Sequence, residues 1–105
     1  MRIAVCDDEE LFRIEFKTIL DKVLVNSEYD IDTFSGGSSL YEAFLKNPFD
    51  LVFLDIEMPG IDGITLAKSV KKLNPQVNII FLTVCDEKEY AKEVEIVYPM
   101  HLNPV

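Results

Sequence analysis

Carboxylates stand at the ends of two apolar runs in this chain, and a hydroxyl ends a third. Asp7 and Asp8 follow IAVC at 3 to 6, Asp55 follows LVFL at 51 to 54 with Glu57 two residues beyond, and Thr83 follows IIFL at 79 to 82. Acids delivered into one crevice repel: two unit charges 4 Å apart do so by roughly 4 kcal/mol at an effective dielectric of 20. Something positive must sit between them. A few hard oxygen ligands with room left for water suit Mg²⁺, which takes one or two carboxylates and leaves its other positions to water and phosphate oxygens. Each piece also has a plain structural reading: Asp8 as a helix N-cap, Asp7 as a solvated loop acid, and MPGIDG at 58 to 63 as a turn with Pro59 and Gly60 in favoured positions. Their coincidence at three separate run ends is what favours a site.

The elements that must position these groups follow a βαβ rhythm. Short apolar runs at 3 to 6, 29 to 34, 51 to 54 and 78 to 82 alternate with segments of helical period. In the first such segment Phe12, Phe16, Ile19, Leu20, Val23 and Leu24 fall on one helix face, with Asp8 as the expected N-cap. A second helix is predicted from Ser38 to Lys46, burying Leu40, Ala43 and Phe44 and ending at Asn47-Pro48. A third runs from Ile64 to Leu73, burying Leu66, Ala67, Val70 and Leu73. A fourth spans Glu87 to Val97, with Tyr90, Ala91, Val94 and Val97 aligned. LVFL and IIFL lack polar alternation, the mark of parallel strands covered on both faces. Right-handed crossovers then put every strand's C-terminal end on one edge, where ligands bind open parallel sheets.

Composition removes several function classes. The 105 residues, 49% of them hydrophobic, make one domain spanning 1–105 with a single core. No stretch approaches the roughly 18 consecutive apolar residues of a membrane span, and the opening MRIAVCDD has none of the regions of a signal peptide, so a cytoplasmic protein is expected. Cys6 and Cys85 lack ligand or framework spacing and read as two reduced, buried thiols. A net charge of −9 repels phosphate backbones, and no direct nucleic-acid binding is expected.

VCDDEE at 5 to 10, LDIEMPGIDGI at 54 to 64 and FLTV at 81 to 84 together resemble the receiver domain of two-component response regulators, over essentially the whole chain. The resemblance implies an α/β, flavodoxin-like, doubly wound parallel five-stranded sheet in the order 2-1-3-4-5. It implies Asp55 as the acceptor of a phosphoryl group from a sensor histidine kinase. It further implies Mg²⁺ held by Asp8 and Asp55, with Asp7 acting through a water and Glu57 through its backbone carbonyl, and Thr83 donating to a phosphoryl oxygen. Such a domain is a signalling phosphoacceptor with weak self-catalysis rather than an enzyme. The DIEMPGIDG wording is similar to receivers followed by a LytTR-type DNA-binding domain, which makes transcription regulation the expected output.

The C-terminus departs from that pattern. Where the family closes its fifth strand with Lys-Pro, this chain reads YPMHLNPV, placing Asn103 at the lysine position and leaving the aromatic switch position between Tyr98 and Met100. His101 beside it reads as structural. The chain also stops at Val105, where the family adds a last helix, so a fragment of a longer regulator is expected, and self-association or a swap through the uncovered face. Two functions stay open: a phosphorylatable receiver, or a degenerate one that serves as a protein-interaction module because Asn103 spoils the phosphate site. A flavodoxin-like mononucleotide binder is disfavoured, since Asp-Asp after the first strand would repel phosphate in the absence of metal.

Overall fold

The computed structural model describes residues 1–58, 60, 62–85 and 93–96, the segments 83–85 and 93–96 by their backbone. Strands β1 (Arg2–Cys6), β2 (Asp30–Phe34), β3 (Leu51–Asp55) and β4 (Asn78–Cys85) alternate with helices α1 (Glu10–Val23), α2 (Gly37–Lys46) and α3 (Gly63–Leu73). β5 (Glu93–Ile96) completes one sheet in the order β2-β1-β3-β4-β5. The α/β class and the order 2-1-3-4 of the four parallel strands are those expected from the sequence.

Period-two alternation sorts the strands' side chains between two layers. Ala4 and Cys6, Val52 and Leu54, and Ile79 and Phe81 face α2 and α3, where Leu40, Phe44, Leu66, Ala67 and Val70 close over them. Ile3 and Val5, Phe53 and Leu82 face α1, whose Leu20 joins them. Phe16 anchors α1 by its edge on Phe53, the ring centroids 5.0 Å apart.

Several local expectations are corrected. The N-cap of α1 is Glu9, not Asp8, and its amide donates to Asp7 Oδ1 at 2.8 Å, so the acid pair precedes the helix instead of starting it. Ile19 and Val23 are 55% and 71% exposed, because the row touching the sheet is Phe12, Phe16, Leu20 and Leu24, and the other two lie on its flank. Leu73 likewise ends α3 at 39% exposed.

Residues 93–96 lie in the predicted fourth helix yet form a strand, and it runs antiparallel to β4, pairing Leu82 with Ile96 and Cys85 with Glu93. EVEI alternates polar and apolar, and the open edge of β4 presents a row of N–H and C=O groups that such a segment can satisfy. The rest of the predicted helix and the expected strand around YPMHLNPV lie outside the described residues.

Candidate functional site

Register builds the site. β1 and β3 pair in parallel from Ile3 with Leu51 to Cys6 with Leu54, so one step further the same register sets Asp7 beside Asp55. The Asp7 amide donates to the Phe34 carbonyl at 3.0 Å, tying the end of β1 to the end of β2. Asp8 comes from the turn between β1 and α1. Carboxylate oxygens of Asp7, Asp8 and Asp55 all lie within 4.8 Å of one another, with Asp7 and Asp55 buried and Asp8 exposed. The sequence predicted this convergence, and it is the one described cluster of acids able to hold a metal ion. A buried pair with one solvent-facing member, all hard oxygen, fits a small divalent cation that keeps part of its water.

Local geometry fixes the acids. The Glu57 amide donates to Asp55 Oδ1 at 3.0 Å, which sets the rotation of that carboxylate. Glu57 itself is exposed. Gly60 has a φ of +92°, a conformation L side chains resist, so the loop can turn there. Gly63 answers a different need: a Cβ on it would sit 3.0 Å from the Asp55 carbonyl oxygen and 3.0 Å from Ile56 Cα, so its lack of a side chain lets α3 begin against the end of β3. Asp62 caps that helix, accepting from the Ile64 amide at 3.1 Å and from the Thr65 hydroxyl at 3.3 Å.

Two contributions escaped the sequence reading, the placement of Arg13 and the contact between Cys6 and Met58. Arg13, one turn into α1, donates from Nη1 to the Asp7 carbonyl at 2.7 Å and so clamps the acid turn from the helix side. Nothing in its spacing distinguishes it from a solvated arginine. Cys6 and Met58 meet beneath the cluster, Sγ to Sδ, at 3.6 Å. Burial first, then the charges of Asp7 and Asp55, push the Cys6 thiol up to about 12, so it stays protonated and inert. Thr83 stands in β4 opposite Glu95, with its side chain outside the description. Tyr98, Met100, His101 and Asn103 lie outside the described residues.

The fold agrees with what comparison with known proteins finds. The profile of the response regulator receiver domain matches residues 3–97. The transcriptional regulatory protein RprY of Bacteroides fragilis is 37% identical over 89 residues, which are 85% of this chain and 36% of that protein. The sensory transduction protein LytT of Bacillus subtilis is 31% identical over 87 residues, 83% of this chain and 35% of its own length. The crystal structure of response regulator protein TrrA from Thermotoga maritima, in complex with Mg²⁺-BeF, superposes with a TM-score of 0.70 at 38% identity, covering 82% of this chain and 71% of that one. The chain belongs to the response regulator receiver domain family of two-component signalling. It spans about a third of the length of these two regulators. No described helix is long and apolar enough to cross a membrane.

Proposed function

We propose that Asp55 accepts a phosphoryl group from the phosphohistidine of a sensor histidine kinase, in a site where Asp8 and Asp55 each give Mg²⁺ a carboxylate oxygen. Asp7 acts through a bound water and Glu57 through its backbone carbonyl. The observation that carries this reading is the convergence of three carboxylates within 4.8 Å at the C-terminal edge of the sheet. Bound there, Mg²⁺ supplies positive charge to the nucleophile and to the transferring oxygens, most of what phosphoryl transfer asks of a protein. Asp55 supplies the nucleophile. One of its oxygens forms a bond to phosphorus as the P–N bond to the imidazole breaks and the electron pair returns to that nitrogen. The Glu57 amide holds the carboxylate in the orientation for attack.

Thr83 is assigned the contact to a phosphoryl oxygen, drawing the following segment toward the site and converting a local bond into a changed interaction surface. Asn103 occupies the position of the usual lysine. A neutral amide contributes about 1 kcal/mol to such a bond against roughly 1.5 to 3 for a charged donor, so transfer is slow and self-catalysis weak. The domain works in the cytoplasm, joined in a longer chain to a DNA-binding output domain. The LytTR type is supported by the DIEMPGIDG wording and by the likeness to LytT. Two copies associate, or exchange their C-terminal segments, through the sheet face on which α1 lies alone among the described helices, beside the exposed Ile14, Ile19 and Val23.

Intact-mass measurement after incubation with Mg²⁺ and a small acyl phosphate tests the proposal. One phosphoryl adduct is expected, absent in Asp55→Asn and formed faster in Asn103→Lys. No adduct on any version that still binds Mg²⁺ leaves the interaction module as the function.

A further inference from the structure

Met58 is three residues past Asp55, and Cys6 immediately precedes Asp7 and Asp8. Their sulfur contact, 3.6 Å long, therefore joins the two turns that between them carry all three carboxylates. Both side chains are sunk in the core, Cys6 fully buried and Met58 at 8% exposure, packed with Ala4, Leu54 and Leu66. The Glu57 amide bond to Asp55 is local to the β3–α3 turn and cannot fix its distance from β1. Met58 crosses from this turn to β1 through its sulfur contact with Cys6.

We propose that Met58 and Cys6 are positioning residues, a spacer whose combined volume, added to the β1–β3 register, adjusts how the turn after Asp55 seats against the Asp7–Asp8 pair and thereby the affinity for a divalent cation. The proposal rests on the metal-binding reading above. Removing a buried thioether leaves a void that its surroundings only partly fill, and the least constrained neighbour, the turn, moves toward it. Mg²⁺ demands near-ideal octahedral geometry, so a displacement of a few tenths of an ångström that a core tolerates is one the ligand set does not.

Calorimetric titration with MgCl₂ tests this, with amide hydrogen exchange at Glu57 in metal-free protein as a second readout. Met58→Ala is expected to bind Mg²⁺ about tenfold more weakly, the low end of what loss of a metal ligand's support costs, and Cys6→Ala, which removes less volume, about threefold. Met58→Leu, which conserves volume, stays within about twofold. Leu40→Ala cuts the same core from α2, away from both turns, and is expected to lower the thermal midpoint while leaving Mg²⁺ affinity unchanged. Exchange at the Glu57 amide quickens in Met58→Ala and in Cys6→Ala, not in Leu40→Ala. If Met58→Ala fails to fold, Cys6→Ala carries the test alone. Wild-type affinity in the two spacer variants, or equal weakening by Leu40→Ala, overturns the spacer. A wild type that binds no Mg²⁺ overturns the metal reading instead, and the exchange rates still decide the spacer.

Discussion

The two faces of the sheet are finished differently. On one, α2 and α3 seal a continuous core in which Phe44 and Phe49 are fully buried, their rings 6.0 Å apart. On the other, α1 lies alone among the described helices and buries only Leu20 outright, with Phe12 and Phe16 half-covered. The strands contribute equally apolar residues to both, so the difference comes from the helices above them. The sealed face holds Met58, Ile56 and Ile64 around the turn after Asp55. The open face carries α1 and the Arg13 clamp on Asp7. The turn after the acceptor is thus packed from one layer, and the turn that carries Asp7 is clamped from the other.

Truncation should separate the faces most sharply. Phe44→Ala is expected to cost about 3 to 5 kcal/mol, whereas Phe16→Ala, already half-solvated, should cost about half as much. Urea unfolding of both measures the gap, and equal losses would erase the distinction. Next in size is Gly63→Ala, expected to cost about 1 to 3 kcal/mol as the new methyl meets the Asp55 carbonyl and Ile56. It should also weaken Mg²⁺ binding, which no open-face substitution away from Arg13 does. Ile19→Lys with Val23→Glu should change stability by no more than about 0.5 kcal/mol per site while abolishing self-association. Sedimentation reads this directly: a wild type that stays monomeric would show that the open face is not an interface between copies.

The smallest effect is a pH dependence confined to the open face. Tyr29 donates to Asp21 at 2.9 Å and Lys17 pairs with the same carboxylate at 3.1 Å. These bonds, Tyr29's first, hold the Asp21 carboxyl below the usual range and raise the Tyr29 hydroxyl above its own. A depressed folded-state value means the contribution is present above the unfolded carboxylate pKa and is lost as pH falls through the folded one. For the raised tyrosine it is present below the unfolded pKa and lost as pH rises through the folded one. Tyr29→Phe should flatten both slopes of the unfolding midpoint against pH, with no change near neutrality in how the closed-face variants rank.

The acid cluster was legible in the sequence because its signals are redundant. Asp7, Asp8 and Asp55 end runs that are also strands, and the crossover rule alone gathers strand ends. Helices with a single strong apolar face, α2 and α3, were placed to within one residue of their starts. The misreadings fall where one pattern satisfies two periods. Tyr90, Ala91, Val94 and Val97 fit a helix, yet EVEI fits a strand equally, and only the unfilled edge of β4 decides. Ile19 and Val23 were placed inside because periodicity gives a face but not the width of what covers it. Arg13 and the Cys6–Met58 contact were invisible for a different reason, since each depends on a distance between segments that no local pattern encodes.

The central position of β1 has a consequence for synthesis. β1 is made before both of the strands that flank it, β2 and β3, and the Arg2 amide is held by the Asp50 carboxylate 48 residues later in the chain. At about 5 to 20 residues per second, that interval lasts roughly 2 to 10 seconds on the ribosome. During it RIAVC is an apolar segment with at least one ungated edge, and α1 and then β2 are the partners that emerge ahead of β3. Nascent-chain survival therefore depends on how well α1 and β2 shield Ile3 and Val5 before β3 arrives, and Phe16 and Leu20 are the side chains that a holdase would find engaged or free.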